Sequence, residues 1–292
     1  MDQPRGRTMR FLALGAALIA LAGAYLAILR HFRVSELPSE QRFGAVDQTA
    51  PAAEVYLEAV SIDALNGSMQ VRAALSRRAP ESESGGGAAN PDLRLLVDHD
   101  KTRQELNVAS VDHTGSSTFE IGLNGGSVAH YPLDSYVARL TVQLVDGKSL
   151  VRLPARITMW DGLLGYDLHT TSQPGSDPNI VQLTTTIARS GAFALFALCA
   201  YGAMVVLGCC AIVVGVLTFS NVRPPETSLI GSLAAIAFAL PVLRNALPGS
   251  PPLGVEADMW VFLWTELVVV LALALVIFKW ATSGPKAGTG GP

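Results

Sequence analysis

IVQLTTTIARSGAFALFALCAYGAMVVLGCCAIVVGVLTF, residues 180–219, joins two kinds of structure in one short stretch. Its opening, Ile180–Ile187, is rich in Thr, Val and Ile, residues that suit a pleated, half-buried strand. Just past Arg189 the composition changes, and from Gly191 to Phe219 no charged side chain occurs. The hydrocarbon core of a bilayer is about 30 Å thick and a helix rises about 1.5 Å per residue, so about 20 apolar residues cross it. The run is longer than that, which predicts tilt or a helical extension beyond the lipid. Gly202, Gly208, Ala211 and Gly215 are small, and Ala211 and Gly215, four apart, would let a neighbouring helix approach closely. The stretch therefore reads as a strand running almost directly into a membrane helix.

Working outward, three more apolar runs stand out. Phe11–Leu29 lies between Arg10 and Arg30 with no charge inside. Ala22-Gly23-Ala24 would suit signal-peptide cleavage, but the apolar run continues through Tyr25, Leu26, Ile28 and Leu29. A signal h-region spans only about 7–15 residues, so an uncleaved anchor is expected. Leu229–Leu243 is short, carries Pro241 near its end, and can lengthen towards Pro225 or past Arg244. Met259–Phe278 has Trp260 and Trp264 at one end and Lys279-Trp280 at the other, which is how an interfacial aromatic belt looks. Composition agrees: half of the 292 residues are apolar and only 15% are charged, against about 25% in an average soluble domain. The mean hydropathy is +0.36. A net charge of −3 supplies no basic field, so no nucleic-acid partner is expected. Cys199, Cys209 and Cys210 all fall in the 191–219 run and read as small apolar helix residues. The segment from Arg30 to Arg189 has no cysteine, which excludes a disulfide framework there, and no zinc-ligand spacing exists.

Lysine and arginine in the short flanks set the orientation. Arg5, Arg7 and Arg10 precede the first run, Arg223 lies between the second and third, and Lys279 and Lys286 follow the fourth. The turn between the third and fourth has only Arg244, against Glu256 and Asp258. Four spans put both termini on one side, which the charges assign to the cytoplasm; Arg30 and Arg33 weaken the first span's own signal. The expected class is an α+β membrane protein: N-terminal transmembrane helix, extracytoplasmic antiparallel β-sandwich, C-terminal three-helix transmembrane bundle. In residues this gives a cytoplasmic N-terminus 1–10, a first helix 11–29, a stalk 30–53 and a β domain 54–189. Then follow a second helix 190–219, a cytoplasmic loop 220–227, a third helix 228–244, an outer Pro/Gly turn 245–258, a fourth helix 259–279 and a disordered cytoplasmic tail 280–292.

The sandwich expectation rests on short runs of period two. Val55, Leu57 and Ala59 alternate with Tyr56, Glu58 and Val60, and Met69, Val71, Ala73 and Leu75 alternate with Gln70, Arg72, Ala74 and Ser76. Asn66-Gly67 between them suits a hairpin turn, because both residues tolerate positive φ; a glycosylation sequon at Asn66-Gly67-Ser68 is read as that turn. Arg77–Pro91 is a flexible loop by composition. Leu93, Leu95 and Val97, then Leu106 and Val108, then Phe119, Ile121 and Leu123 continue the pattern. Tyr136, Ala138, Leu140, Val142 and Leu144 make the clearest alternation, and Asp146-Gly147 is a second hairpin signal leading to Leu150–Leu153. Antiparallel strands at this spacing suggest a sandwich.

Several polar residues stand out against this background. Arg244 lies at the outer end of a short span, with Asp258 across the turn, and Glu266 sits inside the fourth span about two helical turns on. A carboxylate within a span costs about 2.5–3.5 kcal/mol on insertion scales, and it usually faces protein or water. Arg244, Asp258 and Glu266 are therefore candidates for a structural clamp between the last two helices, with a proton or ion site as the alternative. Pro248, Gly249, Pro251, Pro252 and Gly254 form a turn that proline makes rigid, a candidate for docking against the exported domain. Tyr131, Pro132, Asp134 and Tyr136 read as a structured loop entering a strand, with Asp134 placed to accept backbone N–H groups. Asp98-His99-Asp100 and Asp112-His113 read as an exposed hairpin end, because on a strand His99 points away from the face Asp98 and Asp100 share, which is poor geometry for a metal. No G-x-S-x-G, Walker, G-x-G-x-x-G or H-E-x-x-H motif occurs, and no cofactor is expected.

Tyr131–Tyr136 (YPLDSY), Arg189 before the second span, and Arg244–Gly254 (RNALPGSPPLG) with Asp258 and Trp264, set in a one-plus-three layout of spans, resemble a bacterial membrane-protein family known as domain of unknown function 4436. The resemblance runs from the first span to Trp280 and implies no activity, cofactor or catalytic residue. The expectation is a non-enzymatic binding or assembly protein of the bacterial inner membrane, with the lipid bilayer and an envelope protein or lipid as partners. A transporter or channel accessory subunit, with Arg244 and Glu266 beside a polar path, is the alternative; an envelope enzyme comes third.

Overall fold

The architecture is that of a computed structural model. It describes residues 39–44, 53–76, 93–99, 102–108, 116–174, 177 and 179–283, together with Gly15, Ile19, Gly23, Tyr25, Leu26, Leu29 and Arg30, which are helical. The expected first membrane helix and its cleavage site, most of the stalk, the 77–91 loop, Asp100, Asp112, His113 and the tail from residue 284 lie wholly or largely outside the described residues. The chain divides into two compact units. One holds residues up to Ser127 and Asp134–Ala192; the other holds Phe193 onward together with the six residues Val128–Leu133, taken from the middle of the β region.

The β unit is built from β1 (Ser39–Gly44), β2 (Ala53–Asp63), β3 (Ser68–Ser76), β4 (Leu93–His99), β5 (Thr102–Val108), β6 (Ser116–Asn124), β7 (Ser135–Asp146), β8 (Arg152–Leu153), β9 (Ala155–Asp161), β10 (Tyr166–Pro174) and β11 (Ile180–Arg189). Strand β7 organises it. Its alternation buries Tyr136, Ala138, Leu140, Val142 and Leu144. One edge of β7 pairs first with β6 (Leu123 opposite Ala138) and then with β4 (Leu95 opposite Leu144). The other edge pairs with β11 (Ile187 opposite Tyr136) and, further along, with β8 (Leu144 opposite Leu153).

Two stacked antiparallel sheets, the expected sandwich, are not what the pairing shows. The strands join one eleven-stranded sheet in the order β1-β9-β2-β3-β6-β7-β11-β10, with β4, β5 and β8 attached at β7. It is also not wholly antiparallel, because β2 and β9 run parallel from Ala53 opposite Ala155 to Glu58 opposite Trp160. The sheet curls into a near-barrel whose end strands meet through one side chain. Gln41 on β1 donates from Nε2 to Leu168 O on β10 (3.2 Å), and its Oε1 accepts from Thr170 N (3.1 Å). Closure of this kind satisfies edge groups that an open sheet leaves unpaired. Val55, Leu57, Met69, Val71, Ile121, Ile157 and Leu183 fill the interior. Strand β1 lies within the expected 30–53 stalk: its Ser39-Glu40-Gln41-Arg42-Phe43-Gly44 is too polar to show a period, yet it pairs with β9 along its length.

The helical unit contains α1 (Gly191–Phe219), α2 (Thr227–Asn245) and α3 (Leu263–Thr282), the last preceded by a π-helical turn at Asp258–Phe262. All three are long and apolar enough to cross a membrane. Only 28%, 17% and 22% of their most apolar windows are buried inside the protein. Large side chains such as Phe196, Val206, Phe238, Trp260 and Leu271 stand on the outside. A helix apolar on all sides has found its proper surroundings only in an apolar solvent or a larger core. Helices α1 and α3 meet through small residues: a Cβ at Gly208 would lie 2.9 Å from Thr265 Cγ2, and one at Gly215 would lie 2.9 Å from Ala272 Cα. Ala211 between them is buried, while Gly202 faces open space. Cys199, Cys209 and Cys210 are unpaired and exposed on α1.

Candidate functional site

In the helical unit the sequence places a cation in the last turn of α2 and an anion at the start of the helical turn leading to α3. Both signs suit the helix dipole, which is negative at a C-terminus and positive at an N-terminus. Between them, Gly249 (φ 74°), Ser250 (φ 41°) and Gly254 (φ 94°) take backbone conformations that bend the Pro-rich turn back on itself. Arg244 and Asp258 meet there, each only 4% exposed. Arg244 Nε donates to Asp258 Oδ1 at 3.0 Å and Nη2 donates to Oδ2 at 2.5 Å. Arg244 Nη2 also donates to Pro252 O at 2.6 Å. Asp258 Oδ2 further accepts from Gly254 N at 3.1 Å, and Oδ1 from the Tyr201 hydroxyl of α1 at 2.9 Å. Buried ions cost several kcal/mol each to desolvate unless paired and hydrogen-bonded, and here the backbone of the turn completes the shell. The cluster thus links α1, α2, the turn and α3.

The third clamp candidate is not brought in. Glu266 stays on α3, and its Oε2 is buried with no hydrogen-bond partner among the described residues. Of the docking candidates, Pro248 O accepts from the Tyr131 hydroxyl at 3.0 Å, Pro251 is buried, Pro252 serves Arg244, and Gly249 and Gly254 are exposed. Tyr131 belongs to the Val128–Leu133 segment that clusters with the helices, and it packs in their core. The Tyr131–Pro132 bond is cis, and Pro132 is buried. His130 Nδ1 and Glu256 Oε1 lie 3.1 Å apart at the surface, a pairing of small energetic weight.

In the β unit a second buried pair forms beside the points where the chain passes between units. Asp134 opens the entry into β7 and Arg189 ends β11, and register sets Ser135 opposite Ala188. Arg189 Nε donates to Asp134 Oδ1 at 3.0 Å and to Oδ2 at 3.2 Å. The Tyr136 hydroxyl donates to Asp134 Oδ2 at 3.0 Å. The Arg189 guanidinium lies 4.8 Å from the centre of the Tyr166 ring, within cation–π range. Burial, and then the Asp134 charge, push the Tyr136 phenol above the ordinary tyrosine range; burial raises Tyr166 as well. Asp134 accepts from side chains here, where the sequence suggested backbone N–H groups. Two aromatic members escaped the sequence reading. Tyr201 had one signal, the single tyrosine of an otherwise largely apolar run; Tyr166 had none.

His99 lies on β4 with Nε2 buried and without a hydrogen bond, and no metal-ligand group occurs among the described residues.

Residues 43–187 match the family described as "Domain of unknown function (DUF4436)", and residues 189–283 match that described as "Domain of unknown function (DUF8686)". No curated protein matches the chain. The resemblance expected from the first span to Trp280 is thereby corrected in extent: the 4436 match ends in β11, and the turn motif and helices fall under the second description. The change of family within Ile187–Arg189 falls where the strand gives way to α1 and close to the division into units at Ala192. The β region, residues 43–187, therefore belongs to the DUF4436 family of domains of unknown function, and a DUF8686 domain at residues 189–283 follows directly.

Proposed function

We propose that the chain is a multi-pass protein of a bacterial inner membrane, with both termini cytoplasmic and the β unit outside, and that it works as a non-enzymatic binding or assembly protein of the cell envelope. The observation that carries the membrane part is the outward array of large apolar side chains on all three long helices. Lipid tails are the solvent in which such an array is at rest. The orientation is supported by Arg223, Lys279 and Lys286 on one side, against Arg244 alone, beside Glu256 and Asp258, on the other. The binding part is supported by a depression of about 620 Å³ on the β unit, lined by Leu96, Gln143, Val145, Leu150, Val151 and Arg152 among others. Leu150 and Val151 are exposed there, and Arg152 pairs with Asp177 at 2.8 Å. A partly apolar surface with a fixed charge pair suits a protein or lipid partner.

Labelling tests the topology. In a chain with Cys199, Cys209 and Cys210 replaced by Ala, a Ser84→Cys variant should react with a membrane-impermeant maleimide in intact cells. Reaction only after lysis would contradict the orientation.

Glu266 favours a second reading, as an accessory subunit of a transporter or channel, because a lone carboxylate in a span ordinarily faces a polar path. Under that reading Glu266→Gln abolishes proton or cation flux in proteoliposomes, whereas the binding reading predicts no flux in either form.

A further inference from the structure

Two turns of the β unit share one design. Asp63-Ala64-Leu65-Asn66-Gly67 joins β2 to β3, and Asp161-Gly162-Leu163-Leu164-Gly165 joins β9 to β10. Each opens on an aspartate whose carboxylate accepts from the backbone: Asp63 from Leu65 N (3.1 Å) and Asn66 N (2.9 Å) within the turn, Asp161 from Leu168 N (3.0 Å) on β10, while Tyr166 N donates to Leu163 O (3.2 Å) across the second turn. Each closes on a glycine at positive φ, 65° at Gly67 and 85° at Gly165. Each holds a leucine outward, Leu65 and Leu164, both 69% exposed. One exposed leucine needs no explanation. Turn apices are ordinarily polar, however, and here two rigid ones present the same apolar side chain.

Strand register puts both turns at one end of the near-barrel. Strands β2 and β9 are parallel, so Asp63 and Asp161 end them in the same direction. Strand β6 arrives there too, since Leu123 N donates to Gly67 O at 2.7 Å. Strand β1 begins there, with Ser39 opposite Asp161. Strand β11 ends there, with Arg189 opposite Tyr166, and Ser190 N donates to Gly165 O at 3.0 Å. Ser190 is followed at once by Gly191, the first residue of α1. The end that carries Leu65 and Leu164 is thus the end from which the chain enters α1. The β7–β8 turn, with Leu150, lies at the other end.

We propose that this end of the β unit rests on the lipid surface, with Leu65 and Leu164 seated among the headgroups and upper acyl chains. The proposal rests on the reading of α1 as a membrane helix. Because the turns are held by their own hydrogen bonds, insertion orders little backbone. The two turns contain aspartate and no lysine or arginine, so the attraction is apolar and zwitterionic lipid suffices.

The test uses the full chain, with the three native cysteines replaced by Ala, in phosphatidylcholine nanodiscs with and without nitroxide-labelled lipid. An NBD fluorophore is placed singly at Leu65→Cys, Leu164→Cys, Leu150→Cys and Val213→Cys. Positions 65 and 164 should show blue-shifted emission and quenching approaching that at 213, with 150 water-like. If 213 is quenched but 65 or 164 matches 150, the lipid contact is overturned while the membrane helix stands. If 213 itself is water-like, the membrane reading fails and takes the proposal with it.

Discussion

Arg244 and Asp258 are each held by more than their partner, which sets how they should respond to substitution. Removing one ion of a buried pair leaves the other uncompensated and typically costs about 3–5 kcal/mol, whereas replacing both by apolar groups of similar volume is often neutral. Asp258→Ala should therefore lower the unfolding midpoint in detergent sharply, and Arg244→Met with Asp258→Leu should recover much of the loss. A single variant no worse than a surface substitution would contradict the clamp. In the β unit the sign runs through Tyr136. Its phenol is raised by burial and by Asp134, so the folded state holds that proton more tightly than the unfolded chain. The stabilisation is complete below the ordinary tyrosine value of 10.0 and is lost as pH rises past it. Tyrosinate absorbance should show a late component that Tyr136→Phe removes. The first pair was legible because residues 244 and 258 bracket one turn that must return the chain. Asp134 and Arg189 were each singled out in the sequence, but nothing local joins residues 55 apart. Glu266 was grouped with Arg244 as the only carboxylate well inside a span, and helix geometry carries it away from the pair.

At the scale of elements, α1 and α3 depend on glycine at two positions and not at a third. Gly215→Ala would press on Ala272 backbone atoms at 2.9 and 3.1 Å and should cost about 1–3 kcal/mol as overpacking. Gly202→Ala meets nothing within 4 Å and should be neutral or slightly stabilising. Thermal unfolding of the two variants in the same detergent separates packing from helix propensity. Gln41 plays the matching role in the sheet. Gln41→Ala should free the Thr170 amide and speed its hydrogen exchange, with little effect at Leu183 in the core. Strands with an apolar inner face, such as β2, β3 and β7, were legible from period two. Strand β1 was not, because its half-buried face carries Ser39, Gln41 and Phe43, with Phe43 the one large apolar side chain packed on the core. Strand β10 (Tyr166–Pro174) hides its inner face behind Thr170, whose hydroxyl pairs with that of Thr185 at 2.9 Å. The parallel pairing of β2 with β9 joins segments about a hundred residues apart, and no turn announces it.

For the whole molecule, composition already separated a β region from a helical one, and the two matched families divide at the same place. What composition could not foresee was the traffic between them: Val128–Leu133 lies between strands in sequence yet clusters with the helices. All of the proposed roles depend on lipid surrounding α1, α2 and α3. The most direct measurement is electron-paramagnetic power saturation of nitroxides placed singly at Phe196, Val213, Phe238 and Leu271, four outward positions on the three helices, in liposomes. The account predicts relaxation by oxygen and protection from a water-soluble nickel chelate at Val213, Phe238 and Leu271, with Phe196, near the start of α1, showing some of both. Free access of the nickel chelate at all four positions would contradict it.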